Sequence, residues 1–168
     1  GSAADFRYVV TAVAKVAGAA GTNWVSDLML LNIGQQPATV TVSLWLTGQS
    51  NPSPERRTLT LAAGEHRRRD DVIASLFGRT EGAAALHLDS PQPLAVASRT
   101  YNDVPGGTYG QFIPGVSDLT AIEAGERAVL GSLVETATYR TNLGVVNPTD
   151  TALTITATFY GADGLQLG

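Results

Sequence analysis

The sequence predicts an all-β chain: an antiparallel β-sandwich with one short helix, followed by a partial second β repeat. Three observations carry this. Apolar residues alternate with Thr and other polar residues through several short stretches, the period of a strand with one face buried. The chain of 168 residues holds Gly 18 and Pro 8, the punctuation that many strands and turns require. The stretch Asn23–Leu46 (NWVSDLMLLNIGQQPATVTVSLWL) returns in weaker form at Thr138–Tyr160 (TYRTNLGVVNPTDTALTITATFY), with Asn32 and Asn147 standing 115 positions apart.

Taken in order, Phe6–Val16 reads as a strand. Phe6, Tyr8, Val10, Ala12 and Ala14 share one face, and the Val-Val-Thr centre favours a strand over the helix that Ala and Lys near its end would allow. Gly18–Gly21 is a flexible link. Leu28-Met29-Leu30-Leu31, a short apolar run between turn signals, fits a strand covered on both faces. Asn32–Pro37 is a turn, and Thr39–Leu46 alternates cleanly with Val40, Val42, Leu44 and Leu46 inward and Trp45 outward. Together these strands read as a hairpin. Gln49–Pro54 is a loop. Arg57–Leu61 is a strand with Leu59 and Leu61 inward, and Glu65–Arg69 (EHRRR) is a charged edge strand. Asp70–Phe77 is a short helix, capped by Asp70 or Asp71 and stopped by Gly78. Ala83–Leu88 and Leu94–Tyr101 are strands, and a hairpin follows with its tip at Pro105-Gly106. Asp118–Glu126 is a polar connector, and Ala128–Leu133 a candidate strand before the repeat begins.

Composition narrows the function classes. A net charge of −4 is too mild to imply nucleic acid as the partner. No stretch approaches the ~20 apolar residues of a membrane-spanning helix, so neither nucleic-acid binding nor membrane insertion is expected. Cys is absent, which excludes disulfides and thiolate chemistry. Gly1-Ser2 reads as a cloning remnant. The small-residue start that then runs into a strand suits a mature exported protein, so an extracellular or cell-surface location is expected.

Beyond Asn32/Asn147, the two copies share Leu28/Leu143, Thr39/Thr154 and Thr41/Thr156, with inward and outward faces agreeing throughout. The second copy lacks counterparts of the charged edge, the helix and the final hairpin. The segments GTNWVSDLMLLN, SRTYND, GTYGQFIPG and YRTNLGVVNPTD resemble an Ig-like β-sandwich repeat of exported and cell-surface bacterial proteins. The resemblance implies an Ig-like sandwich over residues 5–116, a partial second repeat over 117–168, and an extracellular structural or adhesive role with no catalytic residues to carry over. The second part is either cut from a longer protein in which the repeat continues, or completes the first domain, or pairs with a neighbour. Open sheet edges recruit strands, so self-assembly through an edge, or exchange of the N-terminal strand, is the expected mode.

No motif points to enzymatic chemistry, a metal or a cofactor. The histidines are His66 and His87, and no G-x-S-x-G elbow is present. Adjacent Asp70 and Asp71 are explained by the helix cap, and Arg67-Arg68-Arg69, flanked by Glu65 and Asp70, by local ion pairs. The candidate partner or glycan contacts are aromatic. Trp45 and Tyr160 are outward at equivalent repeat positions, where exposed rings stack on sugars or bury in a partner. Arg99, Tyr101, Asn102 and Tyr109 form a second candidate surface around the hairpin. Two readings follow: a non-enzymatic structural or adhesion module with a protein or self partner, and a carbohydrate-binding accessory module.

Overall fold

Eight strands and one short α-helix make up the folded part of the chain: β1 (Phe6–Ala17), β2 (Asn23–Asn32), β3 (Ala38–Leu46), β4 (Glu55–Leu61), β5 (His66–Arg69), α1 (Val72–Ser75), β6 (Gly82–Ser90), β7 (Leu94–Val104) and β8 (Gly107–Ser117). The structure, a computed structural model, describes residues 5–18, 21–104 and 106–167. The expectations for Gly1–Ala4, for the middle of the Gly18–Gly21 link and for Pro105 lie outside the described residues. Every strand pairing is antiparallel, and the all-β class with one short helix is what the sequence predicts.

The hydrogen-bonded order is β4-β3-β6-β1-β8-β7-β2-β5. Read from both ends, it folds into two layers, β4-β3-β6-β1 over β5-β2-β7-β8. Each of the units β4–β5, β2–β3 and β6–β7 therefore crosses from one layer to the other. The expected hairpin over Asn23–Leu46 is instead an arch: β2 pairs with β7 and β5, while β3 pairs with β6 and β4. The domain is a stack of such arches. At one end β1 closes the stack, pairing with β8 through Tyr8–Val10 and with β2 through Lys15–Ala17, with a register shift between Val10 and Val13. At the other end β4 and β5 are both unpaired on their outer sides among the described residues.

The alternating residues of both layers meet in one core. Val10, Val13, Leu28, Leu30, Val40, Val42, Leu44, Leu59, Leu61, Leu86, Leu88 and Val96 are buried there, with Val72, Ile73 and Phe77 closing it from the helical segment. Two-sided cover of β2 is not found: Leu28 and Leu30 are buried, but Met29 and Leu31, on the other face, are half-buried. The helix is one turn shorter than predicted. Its cap is Asp71, in the left-handed region at φ 44, whose side chain accepts from the Ala74 N–H. Leu76 is its C-cap, and Gly78, at φ +68 two residues beyond the cap, donates to the Ala74 carbonyl at 2.8 Å and turns the chain away.

Residues 121–167 add no strand to the sandwich among the described residues. Ala128–Leu133 is not a strand, and the second copy shows only isolated bridges, Glu135 with Arg140 and Tyr160 with Gln166.

Candidate interaction surfaces

The corner of the β2–β3 arch is built on Asn32, whose side chain is fully buried. Its Nδ2 donates to the Gln36 carbonyl at 2.8 Å and its Oδ1 accepts from the Gly34 N–H at 2.9 Å, which closes the turn locally. The same Nδ2 reaches the Ala62 and Leu61 carbonyls at 3.1 and 3.4 Å, and the Asn32 backbone exchanges bonds with Glu65 and Gly64. One carboxamide thus binds two neighbouring arch corners together. On its other side, the Ile33 N–H donates to the Pro93 carbonyl at 3.0 Å and ties in the β6–β7 corner.

The second copy repeats the local half of this device. Asn147 Nδ2 donates to the Thr151 carbonyl at 2.7 Å, and the Thr149 N–H donates to Asn147 Oδ1 at 3.0 Å. Both bonds fall 115 positions from their first-copy equivalents. The apolar residues around the second corner remain uncovered. Leu28, Leu30, Val40 and Leu44 are 0–2% exposed, whereas their counterparts Leu143, Val145, Ile155 and Phe159 are 45–61% exposed. Among the described residues the second arch has its corner but no neighbours.

Asp27 is the second buried polar centre, at 2% exposure. Its carboxylate accepts from Arg68 at 2.7 Å, from the Asp71 N–H at 3.0 Å and from the Tyr101 hydroxyl at 3.3 Å, and its backbone carbonyl accepts from Ser98 at 2.8 Å. Asp71 in turn pairs with Lys15, and Arg68 also pairs with Asp70 at 2.5 Å. The bond to Asp27, reinforced by the charges of Asp27 and Asp70, raises the Arg68 pKa. Burial, with the negative charge of Asp27 behind it, raises that of Tyr101. The network joins β2, β5, β7 and the helix cap. The sequence clue to it is an acid placed at the head of an apolar strand run.

The singled-out residues do not converge on one site. Arg99, Tyr101, Asn102 and Tyr109 lie on the β7–β8 hairpin, far in the sheet order from Trp45 on β3. The Arg99 guanidinium sits 4.8 Å from the Tyr101 ring centroid and donates to Thr108 at 2.6 Å. Asn102 is buried and accepts from the Asn23 N–H at 2.8 Å, so it anchors the start of β2. Tyr101 serves the Asp27 network, and Gly110 lets β8 approach it, since a Cβ there would stand 2.5 Å from that of Tyr101. Tyr109 and Phe112 are exposed. Trp45 was expected to be open, but it is half-buried and stacked on His87, with centroids 5.2 Å apart and planes 11° apart. Its indole N–H is buried without a partner. Beyond His87, Asp89 lies 3.7 Å from Nδ1, and Arg7 pairs with Asp89 at 3.4 Å. Tyr160, the counterpart of Trp45, is 64% exposed. Among the described residues no group of three or more His, Asp or Glu gathers in metal-binding geometry, and no helix is long and apolar enough to cross a membrane.

No family model matches the chain, and no curated protein matches it significantly. Among solved structures, the crystal structure of Thermotoga maritima 1070 is similar with a TM-score of 0.52 at 9% identity, over 68% of this chain and 95% of that one. The Anabaena sensory rhodopsin transducer aligns over 57% of this chain and 96% of that one, at 15% identity and a TM-score of 0.42. At such identity the first likeness shows the fold alone: one sandwich corresponds to nearly the whole of that protein.

Proposed function

We propose that this chain is a non-enzymatic structural or adhesion module of the extracellular or cell-surface kind, and that it assembles through open sheet edges. The observation that carries this reading is the second arch. It keeps the asparagine corner of the first, yet leaves Leu143, Val145, Ile155 and Phe159 exposed. Large apolar side chains left exposed together in one segment mark an interaction site, and an extended segment without ladder partners can add to an open sheet edge. The buried polar groups of the sandwich are committed to holding arches together, which suits a module whose work is mechanical.

Sedimentation velocity over a wide concentration range tests the assembly. Association that grows with concentration, and that Ile155→Asp with Phe159→Asp abolishes, is the expected result. A particle that stays monomeric throughout overturns the reading. A second reading, a carbohydrate-binding accessory module, is favoured by the Trp45–His87 stack with Asp89 and Arg7 beside it on the outer face of the first layer. A glycan array that lights up for the wild type and goes dark for Trp45→Ala would favour it, and a blank array would remove it.

A further inference from the structure

We infer that the open β4–β5 end of the sandwich is the docking surface for the second arch of another copy of this chain, so that copies join head to tail. The inference rests on the self-assembly reading above and names the two surfaces that meet.

The first argument is geometric. Among the described residues β4 and β5 stand at the two ends of the sheet order, and, joined as one arch across the layers, they offer both layers at the open end. A second-copy arch placed there sets residues 153–160 beside β4 and residues 138–147 beside β5. With corners at the same end, 153–160 runs away from its corner while β4 runs towards its own, and 138–147 and β5 are likewise opposed. Both new pairings are antiparallel, the only kind this sandwich uses.

The second argument is side-chain parity. On β4, Thr58 and Thr60 face outward and already pair with Thr41 and Thr39 of β3, while Leu59 and Leu61 face the core. In the second copy Thr154, Thr156 and Thr158 alternate with Leu153, Ile155 and Ala157. The docked strand therefore continues the threonine ladder on the outside and the leucine layer on the inside, and cross-strand Thr–Thr pairs are favourable.

The third argument is charge, and it selects the occupant. Residues 55–69 carry five arginines against two glutamates, whereas residues 118–167 carry six carboxylates against two arginines. The arginines of β4 and β5 disfavour a second β4–β5 end, whereas the arch of residues 138–160, with Arg140 against Asp150, is neutral and is flanked by the carboxylates of its segment. Among the described residues the second arch stands exposed and apart from the β4 and β5 of its own chain.

The absence of cysteine makes disulfide trapping diagnostic. One protein carries Thr60→Cys; three others carry Thr154→Cys, Thr156→Cys or Thr158→Cys. Each of the three is mixed with the first under mild oxidation, because a directly opposed pair has Cβ atoms about 4.5–5.5 Å apart, close to the separation of about 3.5–4.5 Å that a disulfide takes. The expected result is a disulfide-linked species of twice the chain mass containing one of each protein, for at least one pairing, with its yield falling as salt rises. Thr108→Cys on the β7–β8 hairpin, mixed with the same three, gives none. If the wild type associates in sedimentation but no Thr60 pairing cross-links, assembly uses another surface and this inference fails while self-assembly stands. If a doubly substituted chain cross-links only within itself, the seat is the chain's own edge and the inference fails. If the wild type never associates, both fall.

Discussion

The first arch, β2–β3, and the second, residues 138–160, carry one pattern and stand in opposite states. Each closes its corner with an asparagine whose amide caps the carbonyl four residues on and whose oxygen accepts from the N–H two residues on. The first is fully buried at Leu28 and Val40; the second is half or more exposed at Leu143 and Ile155. The difference teaches that the arch is not a self-sufficient unit. Its two strands face each other across the layers without bonding, so their ladder bonds and most of their apolar cover come from the arches on either side. A local corner forms wherever Asn occurs in that turn; a sandwich forms only where neighbours exist.

The largest expected effect breaks this comparison directly. Leu28→Ala empties a fully buried site, and large-to-small changes of that kind cost about 2–5 kcal/mol. Leu143→Ala removes the same side chain from the equivalent exposed site and should change stability by less than about 0.5 kcal/mol. Urea unfolding of the two variants at a concentration where the chain is monomeric reads the contrast. Equal losses would mean that the second arch is packed in the folded monomer.

The corner asparagines sharpen the same point at smaller scale. Asn32→Ala strips the Leu61 and Ala62 carbonyls of their side-chain donor and the Gly34 N–H of its acceptor. Buried polar groups left without partners cost about 1–3 kcal/mol. Asn147→Ala loses only the exposed local turn and should lie within about 0.5 kcal/mol of the wild type. If the two substitutions cost alike, the tie between corners contributes little and the local turn carries what stability Asn provides.

Much of the sandwich is legible in the sequence, because strand alternation, the Asp71 cap, Gly78 and the glycines that open β8 are local signals with local causes. The arches are not. Two strands joined by a short polar break read alike as a hairpin within one layer or a crossing between two, since alternation says which face is buried but not which strand lies alongside. Only the pairing of β2 with β7 and of β3 with β6, dozens of residues away, decides it. The candidate sites fail for the same reason. Asn102 looks like a loop-proximal recognition residue but is consumed by the start of β2. Trp45 looks open, because nothing in its neighbourhood predicts that Ser43 comes into register with His87 and brings the imidazole against the indole.

That last contact yields the smallest effect and the finest distinction between the arches. Trp45 of the first arch stacks on His87; Tyr160, at the matching place in the second, has no stacking partner among the described residues. Burial lowers the His87 pKa; Asp89 and Asp118 oppose that, while Arg7 and Arg56 add to it. The imidazole therefore holds its proton less readily in the folded chain than in the unfolded chain, where its pKa is about 6.5. The unfolded state binds more protons below that value, so the stabilising contribution is complete above it and is lost as pH falls towards the lowered folded pKa. The wild type should be less stable to urea at about pH 5.5 than at about pH 7.5, a range above most carboxylate titration. His87→Phe keeps an aromatic ring against Trp45 and removes the titration, so much of that pH dependence should disappear with it. Tyr160→Ala should leave the dependence intact, because no imidazole reports on the second arch. A pH dependence unchanged in His87→Phe would assign the effect to other groups and leave the outward aromatics of the two arches electrostatically alike.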